Sequence, residues 1–154
     1  MPVHITIVVD NQAGPGLTAE HGLSFWIEVD GKSILFDTGQ GRVFADNAEA
    51  LGIDLRLTDA VILSHGHYDH TGGIPWILQL APQAVVYAHP SILKERYSVR
   101  DGVAKPVSIP RHSRASLDQA GRRVVWVIEP LTLFSHLELS GPIPRETGFE
   151  DTGG

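Results

Sequence analysis

Between Leu63 and Gly73 the chain reads LSHGHYDHTGG, which places His65, His67, Asp69 and His70 within six consecutive positions. Imidazoles and carboxylates are ligands for zinc, manganese or iron(II), and the spacing does not choose among them. His65 and His67 are two apart, so an extended backbone turns both rings to one side. Asp69 and His70 follow as the chain bends towards Gly72-Gly73. Such a loop can serve two adjacent cations, with His65 and His67 on one and Asp69 and His70 on the other. Two cations a few ångströms apart lower the pKa of a shared water and polarise the electrophile it attacks. Asp69 is then placed to orient the nucleophile or move its proton, and backbone amides at the start of the next helix offer a seat for an anionic group. An isolated histidine in a polar loop carries no such reading. Four ligand residues that end a strand and open a helix do.

Other residues are weighed against this cluster. Asp37, in ILFDTGQG, ends an apolar run. It either orients a ligand histidine or simply forms a turn. His89, in VYAHP, and His21, in EHG, are candidates for a substrate contact or an extra ligand, against the plainer readings of a turn residue and a loop hydrogen bond. His4, His112 and His136 have no supporting context and read as structural or solvated. There is no cysteine, so disulfides and thiolate ligands are excluded. A catalytic zinc usually has three protein ligands and an open position, so two ions would need about six contacts. The cluster supplies four, and His89 is the best internal substitute for a missing one.

The elements that must hold this loop follow from pattern. Val3–Val9 is β-branched and predicts a strand. Asn11–Gly22, with Gly14-Pro15-Gly16, predicts a loop. Ser24–Val29 and Ser33–Phe36, joined by Asp30-Gly31, predict a hairpin. Val43–Leu51 has helical spacing and stops at Gly52. Ala60–Leu63 predicts a short buried strand leading into the histidines. Ile74–Leu80 predicts a helix with Pro75 in its first turn. Beyond it the expectations are a strand at Ala84–Ala88, a short helix at Ser91–Tyr97, and an irregular polar stretch from Asp101 to Gly121. Strands at Val124–Ile128 and Leu131–Leu139 follow, then a loop in SGPIPRETGFEDTGG. Strands first, then strand and helix in alternation, predict an α/β chain with a mixed sheet and helices on at least one face.

Composition sets the outer bounds. The chain has 154 residues, 42% apolar and 19% charged, enough for one cored domain. A net charge of −6 argues against nucleic-acid binding. Arg111, Arg114, Arg122 and Arg123 are the sole candidate basic patch and read as a solvated face. MPVHITIVVD lacks a basic leader region, and no apolar run reaches membrane-spanning length, so a cytoplasmic location is the expectation.

HGHYDH has the His-x-His-x-Asp-His form of the metallo-β-lactamase superfamily, and Asp37 in LFDTG matches its upstream aspartate. The wider text, AEHGLSFWIE, ILFDTGQ, DNAEALGIDL, DAVILSHGHYDHTGG and GPIPRETGFE, resembles the branch of 7,8-dihydropterin-6-yl-methyl-4-(β-D-ribofuranosyl)aminobenzene 5′-phosphate synthases and metal-dependent hydrolases. The resemblance implies an αββα sandwich of which residues 1–154 form the N-terminal half. It implies His65 and His67 as ligands of a first zinc, Asp69 and His70 as ligands of a second, and Asp37 as support. The family's later ligands lie past the segment resembling GPIPRETGFE. A missing C-terminal half or a second copy in a homodimer is therefore expected to complete the site and to cover an apolar sheet face. The implied activity is that of a metal-dependent hydrolase or synthase acting on a small, phosphorylated or pterin-like substrate. A non-catalytic or di-iron redox protein is the competing reading, and a nuclease is a weaker third.

Overall fold

A computed structural model describes residues 2–144, 146 and 148. Its centre is a six-stranded mixed sheet in the order β1-β2-β3-β4-β5-β8. Strands β1 (His4–Val9), β2 (Ser24–Val29) and β3 (Lys32–Phe36) run antiparallel, whereas β3, β4 (Ala60–Leu63), β5 (Val85–Ala88) and β8 (Val124–Trp126) run parallel. The β2–β3 turn has Asp30 at φ 53° and Gly31 at φ 71°. Positive φ at both central residues belongs to the type I′ turn, whose twist matches that of paired strands. Helices α1 (Val43–Ala50), α2 (Tyr68–Thr71), α3 (Ile74–Leu80) and α4 (Arg111–Ala120) connect the later elements.

Alternation along the strands sorts the side chains between two faces. Trp26, Leu35, Val61, Leu63, Val86 and Ala88 point one way, into a core with Phe44 and Ala48 of α1, Ile74 and Ile77 of α3, and Leu117 of α4. Val29, Ile34, Ala60 and Ile62 point the other way, under Leu133, Phe134, Leu137 and Leu139. Cover on this second face is partial. Ile5 and Ile7 on β1 remain 63% and 56% exposed. Ile34 is fully buried, so Ile34→Val should remove one methylene's worth of packing and cost about 1 kcal/mol in a urea denaturation series.

Three expectations need correction. Ser91–Tyr97 is not a helix: a single 3-10 turn, Pro90–Leu93, is followed by β6 (Tyr97–Arg100). Asp101–Gly121 is not irregular. It begins with a second Asp-Gly hairpin turn, Asp101 at φ 52° and Gly102 at φ 75°, leading into β7 (Val103–Pro106), which pairs with β6. Helix α4 follows in the same stretch and buries only Ser113, Leu117 and Ala120. So thin an apolar stripe, packed in one narrow line, leaves a polar-looking sequence. Leu131–Leu139 is a hairpin, β9 (Leu131–Phe134) with β10 (Leu137–Leu139), rather than one strand. Its turn brings His136 Nδ1 within 2.6 Å of Asp30 Oδ2, so this histidine is structural. The described part of the C-terminal stretch after Leu139 holds no helix or strand; residues 145, 147 and 149–154 of that segment lie outside the described residues.

Candidate metal centre

The parallel strands deliver the site. β3 and β4 end side by side, and the chain leaves β3 through Asp37 and β4 through Ser64. Asp37 is fully buried and sits at φ 56°, a left-handed conformation that aspartate tolerates better than most residues. Its Oδ1 accepts from the Ser64 amide at 2.8 Å. Its Oδ2 accepts from Ser64 Oγ at 2.6 Å and from His70 Nδ1 at 2.7 Å. The Ser64 hydroxyl proton is thereby committed, so the 2.9 Å contact between Ser64 Oγ and His65 Nδ1 is one in which the imidazole donates. One carboxylate thus sets the tautomer of two histidines. Both His65 and His70 carry their proton on Nδ1 and present an Nε2 lone pair.

The rings converge. Centroids of His65 and His67 lie 4.5 Å apart, and those of His65 and His70 lie 4.1 Å apart. His70 Nε2 is 3.8 Å from Asp69 Oδ2. Burial, with His70 and His67 facing it, pushes the His65 imidazole down to about 4. Burial also lowers His67, and the charge of Arg96 adds to that. Burial works against protonation of His70, but the hydrogen bond and charge of Asp37, helped by Asp69, raise it overall. Neutral His65 and His67 beside an acid-flanked His70 make a set of nitrogen donors suited to a divalent cation.

Donor atoms of Asp37, His65 and His70 already lie within 4.8 Å of one another. That grouping differs from the pairing expected from sequence, His65 with His67 and Asp69 with His70. Both oxygens of Asp37 are engaged by the three hydrogen bonds above, which hold the Ser64 and His70 side chains in place.

Short backbone contacts lock the loop to its surroundings. Thr38 donates to the His70 carbonyl from its amide at 2.8 Å and from its hydroxyl at 3.0 Å. Gly66 packs against the Ile92 carbonyl, and Gly72 against the Gln40 backbone, with no room for a Cβ. On the other side the β6–β7 hairpin abuts the loop: Tyr68 donates to the Val107 carbonyl at 3.1 Å, and Ser108 bridges to His67.

His21 reaches the cluster, its Nε2 3.2 Å from Asp69 Oδ2. His89 does not. Its Nδ1 caps the Pro90–Leu93 turn, accepting from the Ser91 amide at 3.1 Å, while its ring lines an apolar cavity of about 590 Å³ beside Ser64, Tyr87 and Ile143. Sequence pattern does not single out Ser64, or Asn11, whose Oδ1 lies 3.0 Å from His21 Nδ1. Ser64 had a usable signal, being the polar residue between a buried strand and the first histidine. Asn11 had none, since its role depends on where the first loop folds back.

The metallo-beta-lactamase superfamily profile matches residues 17–153. The chain belongs to that superfamily. It is 31% identical over 134 residues to the 7,8-dihydropterin-6-methyl-4-(beta-D-ribofuranosyl)-aminobenzene-5'-phosphate synthase of Methanocaldococcus jannaschii, covering 83% of this chain and 46% of the relative. It is 30% identical over 147 residues to the uncharacterized protein MJ0448 of the same organism, covering 95% and 56%. Among solved structures, Tm1679, a metal-dependent hydrolase of the beta-lactamase superfamily, superposes with a TM-score of 0.70 at 30% identity, covering 90% of this chain and 47% of that one. The fold is therefore the metallo-β-lactamase fold in part, and the chain spans about half the length of the curated relatives it matches. Among the described residues no helix is long and apolar enough to cross a membrane.

Proposed function

We propose that the chain carries the metal-binding part of a hydrolase that acts on a small, phosphorylated substrate. One observation carries the reading: a buried carboxylate, Asp37, fixes the tautomers of His65 and His70 so that their Nε2 atoms are offered beside Asp69. His65, His67, Asp69 and His70 would hold two divalent cations, zinc in the first instance, with manganese or iron as substitutes. Bound there, the cations supply Lewis acidity towards water and substrate. The chain's own residues do the rest. Asp37 and Ser64 hold the rings in register, and Asp69 would take a proton from an attacking water. Arg96 adds positive charge beside His67, which favours an anionic substrate.

Support for a phosphorylated, pterin-like substrate comes from the similarity to the Methanocaldococcus synthase, whose name specifies a phosphate ester. Four ligands are fewer than two ions usually take. A further polypeptide segment, or a second copy of this chain, would supply the remainder.

The test is elemental analysis and oligomeric state on one purified sample, with hydrolysis of a phosphodiester probe before and after chelation. The expected result is at least one zinc or manganese ion per chain, with hydrolysis lost on chelation and restored by the metal. Less than about half an ion per chain, or hydrolysis indifferent to the chelator, overturns the reading. Iron with a visible absorption band and no hydrolysis favours the redox alternative.

A further inference from the structure

The first loop carries a histidine whose bonding repeats that of His70. His21 Nδ1 lies 3.0 Å from Asn11 Oδ1. The same oxygen accepts the Gly22 amide at 3.3 Å, which identifies it as the carbonyl oxygen of the side-chain amide. That oxygen only accepts, so the His21 proton belongs on Nδ1 and the Nε2 lone pair faces outward from the pair. What it faces is Asp69 Oδ2, at 3.2 Å. Two acceptor atoms at this distance repel unless a proton or a cation stands between them. A proton can serve, and a divalent cation would displace it.

The separation of His21 and Asp69 fits a shared cation. Ligand atoms about 2.0–2.1 Å from a tetrahedral zinc are separated by roughly 3.4 Å along each edge. Asp69 Oδ2 has His21 Nε2 at 3.2 Å, close to that edge, and His70 Nε2 at 3.8 Å. Each imidazole has its Nδ1 engaged by an oxygen, Asn11 for His21 and Asp37 for His70, the usual buttress of a ligating histidine.

The loop is built to keep His21 there. Gln40 Nε2 donates to the His21 carbonyl at 2.7 Å, and Glu20 Oε1 accepts the Gln40 amide at 2.8 Å. Leu23 donates to the Asp69 carbonyl at 3.4 Å. Gly22, at φ 140°, lies so close to that carbonyl that any Cβ would clash with it.

We propose that His21 is a metal ligand, sharing a cation of the centre with Asp69. The proposal rests on reading the His65–His70 loop as a metal centre, and it supplies from within this chain a ligand that the loop lacks.

Zinc binding to the full chain, measured by calorimetry with a competing chelator, tests it together with proton NMR of the cobalt-loaded chain. Cobalt shifts the exchangeable ring N–H resonance of each ligating histidine far outside the normal range. His21 is 67% exposed, so His21→Ala should leave the thermal midpoint unchanged. It should weaken binding of that cation by at least ~100-fold, and Asn11→Ala, which only frees the ring, by about 10-fold. One shifted ring resonance should vanish in His21→Ala. Unchanged binding in His21→Ala, with an ion lost in His70→Ala, overturns the His21 assignment and leaves the metal centre standing. Weakened binding with no shifted resonance lost also overturns it, because His21 would then only brace Asp69. If His70→Ala changes nothing either, the metal-centre reading fails, and the role of His21 fails with it.

Discussion

Replacing Asp37 with asparagine is expected to leave the chain folded while removing most of its metal affinity. Ser64 donates its amide to Oδ1, so in the Asp37→Asn variant the side-chain carbonyl stays on that side and the new NH₂ group falls where Oδ2 now lies. There it meets His70 Nδ1 and Ser64 Oγ. An amide donates where the carboxylate accepted, so His70 must carry its proton on Nε2 instead. Ser64, now receiving a proton from the amide, turns its own towards His65 Nδ1 and moves that tautomer too. Both lone pairs offered to a cation are replaced by N–H groups. A wrong-tautomer defect of this kind should cost roughly 100-fold in zinc affinity. Every donor around the side chain keeps a partner, so the loss of stability should stay at about 1 kcal/mol.

Asp37→Ala behaves differently. It takes the acceptor from the Ser64 amide and from two further donors around a fully buried position, which should cost about 3 kcal/mol in urea denaturation as well as the metal. Calorimetric zinc titration and denaturation on the same two variants separate the effects. Equal zinc affinity in Asp37→Asn and the unaltered chain would remove Asp37 from its organising place.

Gly72→Ala is expected to be the more damaging change to the fold. Gly72 has ordinary helical geometry, with φ −67°, so alanine is acceptable to its own backbone. The obstacle is the neighbour. A Cβ there would press into the Gln40 carbonyl and lie 2.8 Å from the Gln40 Cα. Neither chain can give way by a side-chain rotation, because backbone meets backbone. The Gly72 amide also donates to the Gly39 carbonyl at 2.9 Å, so the two segments are tied as well as touching. Forcing them apart moves α2, with Asp69 and His70, away from Asp37. A loss of about 3 kcal/mol or more is expected, with weaker zinc binding in whatever remains folded. Gly41→Ala is the control. A Cβ at Gly41 meets nothing within 4 Å, so its effect should stay within about 0.5 kcal/mol. Equal melting temperatures for the two variants would show that the close approach of α2 to the β3 turn is not needed.

These variants divide along the line between local and long-range information. Local pattern was enough to specify the β2–β3 hairpin, because Asp-Gly between apolar runs has few alternatives. It was also enough for the helical spacing of α1 and α3, and for the concentration of ligand residues between His65 and His70. Local rules also explain the misses. Asp101-Gly102 is the same turn signal as Asp30-Gly31, but it joins strands too exposed to show an apolar pattern. Helix α4 is polar overall and buries only Ser113, Leu117 and Ala120, so it lacks the run of large apolar residues that marks a helix.

Which atoms face each other was settled by the folded chain. Asp37 and His70 are 33 positions apart, and the 2.7 Å bond between them depends on β3 and β4 ending together. His21 reaches Asp69 only because the first loop folds back across Gln40. Residue type and spacing can specify which donors a chain owns. Tautomers and ligand separations depend on segments that meet across the fold, where no periodicity along the chain records them.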